Sequence, residues 1–129
     1  EKIRTEGLDD RVDVWPGNFF CDTWPVGHDA VLLSNILHDW EPERCTHLLR
    51  RAFESLPPGG LLFVHEMLLG DARGIDLAAS SFSLQMTIGT RGKQPTAGEL
   101  RASLTEVGFA RVDFVHSFGH FWMARALKV

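Results

Sequence analysis

Disulfide-forming cysteine, long hydrophobic runs and clustered basic residues are scarce in this 129-residue chain. Two cysteines, Cys21 and Cys45, give no disulfide framework and favour a reducing compartment, so we expect the cytoplasm. No apolar run approaches the roughly 20 residues that span a bilayer, so we expect no membrane association. The net charge is −4, and the basic residues are scattered apart from Arg50-Arg51, which argues against nucleic-acid binding.

The residues that are present predict one globular α/β domain. Hydrophobic residues make up 44% of the chain, which is ordinary for a folded protein. The apolar run at 30–37 predicts a buried parallel strand, and 61–66 predicts the next one. Between them, apolar residues recur at helical spacing from Cys45 to Leu56, and Pro57-Pro58-Gly59-Gly60 ends the helix. Together these segments predict a βαβ unit.

Each of the other elements is predicted from its own residues, without a pattern such as the βαβ unit that links it to its neighbours. Alternation at 11–15 predicts a short strand, and 70–76 predicts a loop. Residues 77–88 are apolar and predict a helix. Thr96 and Glu99 match a capping box at the start of another helix, with Gly108 after its end. Residues 111–116 and 121–126 predict an antiparallel hairpin.

Two titratable residues follow the two predicted parallel strands. His38 stands where the first strand ends, and Glu66 ends the second. Ligands of open α/β sheets bind outside the carboxyl ends of the strands, and neighbouring strands lie about 4.8 Å apart. The two side chains can therefore meet at one crevice, where His38 is a candidate general base. The alternative is a histidine that only terminates the strand and a solvated acid beside it.

The chain resembles a known family in the order and spacing of several motifs. These motifs are Leu37-His38-Asp39-Trp40, the run from Pro57-Pro58-Gly59-Gly60 to the strand-end Glu66, Gly92-Lys93, and the helix start at Thr96. They resemble the S-adenosylmethionine-dependent O-methyltransferases of the plant caffeate and bacterial polyketide-tailoring type. Each motif alone is weak, whereas the combination covers nearly the whole chain and is fairly specific.

The resemblance implies a Rossmann-like class I methyltransferase sheet with strand order 3-2-1-4-5-7-6. This chain would hold strands three to seven, with strand three at 11–15 and an antiparallel last hairpin. Strands one and two, the glycine-rich cofactor turn and the family's N-terminal dimerisation domain have no counterpart here, and no Gly-x-Gly pattern replaces them. We therefore expect residues 1–129 to be the C-terminal part of a catalytic domain. It would work with an N-terminal half, and as a homodimer when complete.

The resemblance also implies a reaction, in which a methyl group passes from S-adenosylmethionine to a hydroxyl of a small molecule. The acceptor would be a phenolic secondary metabolite, as in antibiotic biosynthesis. Free phenols titrate near about 10 and imidazole near about 6.5, so a positioned His38 can take the phenol proton as the methyl is transferred. Glu66 would orient the imidazole.

Cofactor and acceptor contacts also follow from the resemblance. It places Trp40 and the pair Asn18-Phe19 beside the adenine, although the family usually has Asp where Asn18 stands. Ser34 stands where plant members carry a Lys near the cofactor. We expect no metal, although a metal held by His38 and Asp39 is a further alternative. The candidate acceptor contacts are Asp39, Phe82, Gln85, Met86 and Gln94.

Gln94 is the departure with the largest consequence. Many members of the family have a second glutamate at this position, and glutamine can neither accept a proton nor stabilise an imidazolium by charge. Either Glu66 alone holds the base, or the acceptor is not a simple phenol. Two alternatives therefore remain beside O-methylation: a C-methyltransferase on the same scaffold, and a methyltransferase-like module that binds a ligand without methylating it.

Overall fold

A computed structural model describes residues 2–70 and 77–129 of the chain. It contains a short helix α1 (Lys2–Thr5), strand β1 (Ala30–Ser34), a 3₁₀ turn (Leu37–Asp39), helix α2 (Pro42–Ser55) and strand β2 (Leu61–Met67). Helices α3 (Leu77–Gly89) and α4 (Ala97–Val107) and strands β3 (Phe109–His116) and β4 (Phe121–Lys128) follow. Most of the predicted loop at 70–76 lies outside the described residues.

The four strands form one mixed sheet in the order β1-β2-β4-β3. Strands β1 and β2 are parallel, and the register pairs Ser34 with His65. Strand β4 runs antiparallel to both β2 and β3, which confirms the predicted last hairpin. The βαβ unit therefore lies at one side of the sheet, and its two strand ends point to the same edge.

The core lies between one face of the sheet and helices α2 and α4. Helix α2 begins with Pro42 at its first turn and buries Leu48, Leu49 and Ala52, as its apolar spacing predicts. These residues join one cluster with sheet residues such as Leu62 and Val64. The opposite face of the sheet is more open, since Leu32 is 60% exposed.

The predicted strand at 11–15 is wrong. These residues are coil, and the apolar side chains among them are exposed, with Val14 at 74% and Trp15 at 70%. Alternation gives a strand only where a neighbouring backbone accepts its hydrogen bonds, and no described strand pairs with this segment. The described sheet thus holds four strands where the sequence predicted five.

The first parallel strand is shorter than predicted. It ends at Ser34 rather than at residue 37, because Asn35 takes a left-handed conformation (φ 54°), which asparagine tolerates better than most residues. Leu37–Asp39 then forms the 3₁₀ turn, and this is the element that carries His38. The histidine therefore follows the strand end by one tight turn. We call residues 36–40 the His38 turn.

Helix α4 is bounded as its sequence predicts. The Thr96 side chain accepts a hydrogen bond from the Glu99 N–H, and the Glu99 carboxylate accepts one from the Thr96 N–H, so both halves of the capping box are formed. Gly108 closes the helix at φ 116°, a value that favours glycine. No helix among the described residues is long and apolar enough to cross a membrane.

Replacing the capping threonine tests this boundary. Thr96→Ala should lower the free energy of unfolding by about 1 kcal/mol, because the Glu99 N–H loses its partner. Thr105→Ala is the matched control, since the Thr105 hydroxyl only bonds the Arg101 carbonyl within the same helix. Urea unfolding of the three proteins measures the difference, and equal losses for both variants would contradict the assigned cap.

Candidate functional site

The centre of the candidate site is a hydrogen bond between His38 and Glu66. The His38 Nδ1 lies 2.6 Å from Glu66 Oε2. Glu66 is fully buried and His38 is 5% exposed. Because a carboxylate can only accept, His38 Nδ1 carries the proton and donates it. The structure thus brings together the two side chains that were predicted to meet.

The Glu66 carboxylate also holds the backbone of the His38 turn. Its other oxygen, Oε1, accepts hydrogen bonds from the N–H groups of Ile36 (3.0 Å) and Leu37 (2.9 Å). Three donors therefore converge on one buried carboxylate, which offsets the cost of removing its charge from water. Sequence reasoning missed this second role, because no residue pattern shows which backbone groups a turn presents.

The carboxylate changes the proton affinity of the imidazole. The hydrogen bond to Glu66 raises the His38 pKa above its ordinary value of 6.5, burial opposes this, and the charges of Glu66 and Asp39 reinforce it. Asp39 Oδ1 lies 3.6 Å from His38 Nε2, beyond hydrogen-bond distance. With Nδ1 donating to Glu66, Nε2 of a neutral His38 has its lone pair available to accept a proton.

Two features missed by sequence reasoning support the same turn from its other sides. The Cys45 thiol of α2 lies 3.1 Å from the Leu37 carbonyl and 3.4 Å from the Trp40 carbonyl. Gly92 is buried and packs directly on the backbone of His38 and Trp40. In the sequence, Cys45 belongs to an apolar stripe and Gly92 to one of the motifs of the resemblance, but neither pattern shows a contact with the His38 turn.

An aromatic cluster lies beside the turn, where the cofactor's adenine was predicted. The ring of Phe20 lies 4.6 Å from that of Trp40, and Phe19 lies 6.0 Å from Trp40, both edge-on. Arg44 stacks over the Phe20 and Trp40 rings. Beside it opens a cleft of about 490 Å³, lined by Asp39, Trp40, Glu41, Arg44, Thr90 and Arg91.

The aromatic surface of this cluster is partly open to solvent, and its contact with the cofactor stays a prediction. Phe19 is 38% exposed and Trp40 is half-buried, so aromatic surface is available to a flat adenine ring. Asn18 is exposed, but its side-chain oxygen accepts the Phe20 N–H at 3.0 Å, so the side chain is partly engaged in its own turn. The described residues offer no glycine-rich turn for the remainder of the cofactor.

Ser34 lies apart from this arrangement. Its hydroxyl is 3.0 Å from His65 Nδ1, and both residues belong to the sheet face opposite Glu66. His65 in turn stacks on Phe121 with ring centroids 4.9 Å apart. The cofactor contact of Ser34 stays a prediction.

The structure brings some of the candidate acceptor contacts close to His38 and leaves others away from it. The Phe82 ring meets the His38 imidazole edge-on, with centroids 5.4 Å apart. Met86 is half-buried on the same helix, whereas Gln85 is exposed. Asp39 lies beside His38 with its side chain 42% exposed. The structure therefore brings Phe82 and Asp39 to the histidine and leaves Gln85 at the surface.

Gln94 is fully buried, and within the described residues its side-chain nitrogen and oxygen have no hydrogen-bond partner. Its backbone N–H donates to the Ser83 hydroxyl at 3.3 Å, next to Phe82 on α3. The neighbouring Pro95 carbonyl accepts the Leu69 N–H at 3.0 Å, which ties this loop to the chain just after β2. A buried amide with both groups unpaired is costly in free energy, so it requires an explanation, of which a catalytic or ligand-binding role is one.

Residues 1–110 match the O-methyltransferase domain family. The chain belongs to that family. This membership confirms the predicted resemblance to S-adenosylmethionine-dependent O-methyltransferases, which rested on the His38 turn and the motifs after it. It also agrees with the α/β sheet and its antiparallel last hairpin.

Two proteins of known activity are similar to this chain. The 3-hydroxy-5-methyl-1-naphthoate 3-O-methyltransferase of Streptomyces sahachiroi is 37% identical over 115 residues, covering 89% of this chain and 33% of that protein. The L-tyrosine C(3)-methyltransferase of Streptomyces lavendulae is 32% identical, covering 88% of the chain and 33% of that protein.

A solved relative shows the same fold. Human N-acetylserotonin methyltransferase, solved in complex with S-adenosylmethionine, is 32% identical with a TM-score of 0.87, covering 93% of this chain and 34% of the human one. The chain spans about a third of the length of the relatives it matches.

The environments of the two cysteines predict different reactivity. Burial raises the pKa of the Cys45 thiol to about 11, with smaller contributions from the charges of Glu66 and Glu43. Cys21 is exposed. The thiolate is the nucleophile in alkylation. Iodoacetamide at about pH 7.5, roughly one unit below the ordinary thiol pKa, should therefore alkylate Cys21 before Cys45. Mass spectrometry of tryptic peptides measures both rates, and faster labelling of Cys45 would contradict the assigned burial.

Proposed function

We propose that this chain supplies the proton-accepting half of an S-adenosylmethionine-dependent O-methyltransferase, with His38 as general base. The carrying observation is the 2.6 Å bond between His38 Nδ1 and the buried Glu66 carboxylate. It fixes the ring and its tautomer and leaves Nε2 to accept the hydroxyl proton. The hydrogen bond to Glu66 raises the His38 pKa, which makes the ring a stronger base and stabilises the imidazolium that forms.

The reaction needs little more from these residues than proton acceptance and alignment. S-adenosylmethionine, when bound, supplies an electrophilic methyl group. The O–H bond of the acceptor would break toward His38 Nε2, and the oxygen would bond to the methyl carbon as its bond to the cofactor sulfur breaks. The products would be the methylated acceptor, S-adenosylhomocysteine and a protonated His38. Positioning both reactants contributes the rest of the acceleration. Phe19 and Trp40 would hold the adenine, with Asn18 beside them, and Ser34 is a less direct candidate on the far sheet face.

The acceptor that suits this site is a small aromatic molecule with a hydroxyl group, such as a phenolic secondary metabolite in antibiotic biosynthesis. Phe82, edge-on to His38 at 5.4 Å, supports an aromatic acceptor, with Met86 and Gln85 further along the same helix. Gln94 would pair its buried amide with a polar group of the acceptor. With glutamine there, Glu66 is the carboxylate that steadies the base, and Asp39 contributes a weaker, half-exposed charge.

The remainder of the enzyme would come from sequence beyond this chain. We propose that residues 1–129 are the C-terminal part of a catalytic domain whose N-terminal half provides the glycine-rich cofactor turn. Two observations support this: the chain covers 33% of its naphthoate-methylating relative, and β1 pairs only with β2 in the described sheet. The complete protein would be a cytoplasmic homodimer.

Replacing His38 in the complete enzyme tests the proposal. His38→Ala should lower kcat by about 10²- to 10⁴-fold, because the acceptor then loses its base. His28→Ala, an exposed histidine in the loop before β1, is the matched control and should retain activity. Methylation of a panel of hydroxylated aromatic acids, 3-hydroxynaphthoates included, provides the assay. Survival of the His38→Ala activity within about threefold would remove His38 as the base.

The second candidate is C-methylation on the same scaffold, which the 32% identity to an L-tyrosine C(3)-methyltransferase favours. The reaction product distinguishes the two candidates. A methyl carbon bonded to oxygen in the NMR spectrum of the purified product supports O-methylation, whereas one bonded to a ring carbon supports the alternative. A protein that binds S-adenosylmethionine and methylates no member of the panel would instead be a binding module.

A further inference from the structure

We infer that Gly92, held by Thr90, is a positioning residue that sets the His38 turn against Glu66. The inference rests on the proposed role of His38 as general base, and it adds a residue that acts on the histidine through its backbone. Gly92 belongs to the loop between α3 and α4, 54 positions after His38 in the chain.

The contact between this loop and the turn is too close for any side chain. A Cβ added to Gly92 would lie 2.6 Å from the His38 carbonyl carbon and 2.6 Å from the Trp40 nitrogen, and closer still to the His38 carbonyl oxygen. All three are backbone atoms, so no side-chain rotation relieves the overlap. Gly92 has no positive φ, so its requirement for glycine comes from this approach alone.

Thr90 fixes Gly92 at that distance. The Thr90 hydroxyl donates to the Met86 carbonyl at 2.8 Å, and it accepts the Gly92 N–H at 3.2 Å. The Thr90 N–H also bonds the Met86 carbonyl, at 2.7 Å. The loop is thereby tied to the end of α3, the same helix that brings Phe82 to the imidazole. Glu66 holds the N–H side of the turn, and Gly92 limits its movement on the carbonyl side.

Displacement of the turn should alter the His38–Glu66 bond, because that bond is short and both partners are buried. The charged groups acting on the imidazole are Glu66 from β2 and Asp39 within the turn, while α3 presents the neutral Phe82. A turn pushed away from β2 lengthens the contact with Glu66, and the His38 pKa then falls toward the ordinary value of about 6.5.

The experiment follows the His38 imidazole by NMR during a pH titration of the complete enzyme. Gly92→Ala should lower the His38 pKa relative to wild type. Gly89→Ala is the matched control, since a Cβ there meets nothing within 4 Å, and it should leave the titration unchanged. A loss of stability without a change in the His38 pKa would overturn the inference, because a purely structural glycine would behave in that way.

A second pair of variants keeps the test decisive if Gly92→Ala does not fold. Thr90→Val removes the hydrogen bond to Gly92 and should lower the His38 pKa in the same direction, whereas Thr90→Ser retains the hydroxyl and should restore the wild-type value. Equal titrations for Val and Ser at this position would overturn the inference. These readouts need no turnover, so they stand or fail separately from the activity of His38→Ala in the complete enzyme.

Discussion

The buried carboxylate of Glu66 is the group on which the candidate site depends. It receives the His38 imidazole on one oxygen and the Ile36 and Leu37 N–H groups on the other. Removing such a carboxylate would leave three donors without their acceptor, and each donor that stays buried and unsatisfied costs about 1–3 kcal/mol. The Glu66 side chain, at the end of β2, therefore determines both the orientation of the His38 ring and the shape of the turn that carries it.

On the proposed role of His38 as general base, this dependence would let the site work with glutamine at position 94. The imidazole takes its charge partner from Glu66, whose burial makes the interaction strong, while Asp39 contributes from a half-exposed position. Gln94 keeps a buried donor and acceptor that the described protein does not use. In the proposed enzyme these groups would be available for the acceptor, so Gln94 would recognise the substrate instead of steadying the base.

Sequence periodicity could predict the elements whose partners are close in the chain. The α2 stripe, the Thr96 capping box and the β3–β4 hairpin all formed, because each is determined by residues a few positions apart. The strand at 11–15 was predicted wrongly because no strand of the described sheet pairs with it. The end of β1 was placed too late because an apolar run does not reveal a left-handed Asn35. The βαβ rule brought His38 to Glu66, but it could not show the backbone contacts of Glu66, Cys45 and Gly92, which join segments far apart in sequence.

The most direct test of the central claim is the pKa of His38 in wild type and in Glu66→Gln, measured by NMR titration. Glutamine can still accept the two backbone N–H groups through its side-chain oxygen, so the turn is retained while the charge is lost. We predict a His38 pKa above 6.5 in wild type, because the Glu66 hydrogen bond outweighs burial. In the variant, burial remains without its opposing charge, and the pKa should fall below the wild-type value. An unchanged His38 pKa in a folded Glu66→Gln protein would contradict the account.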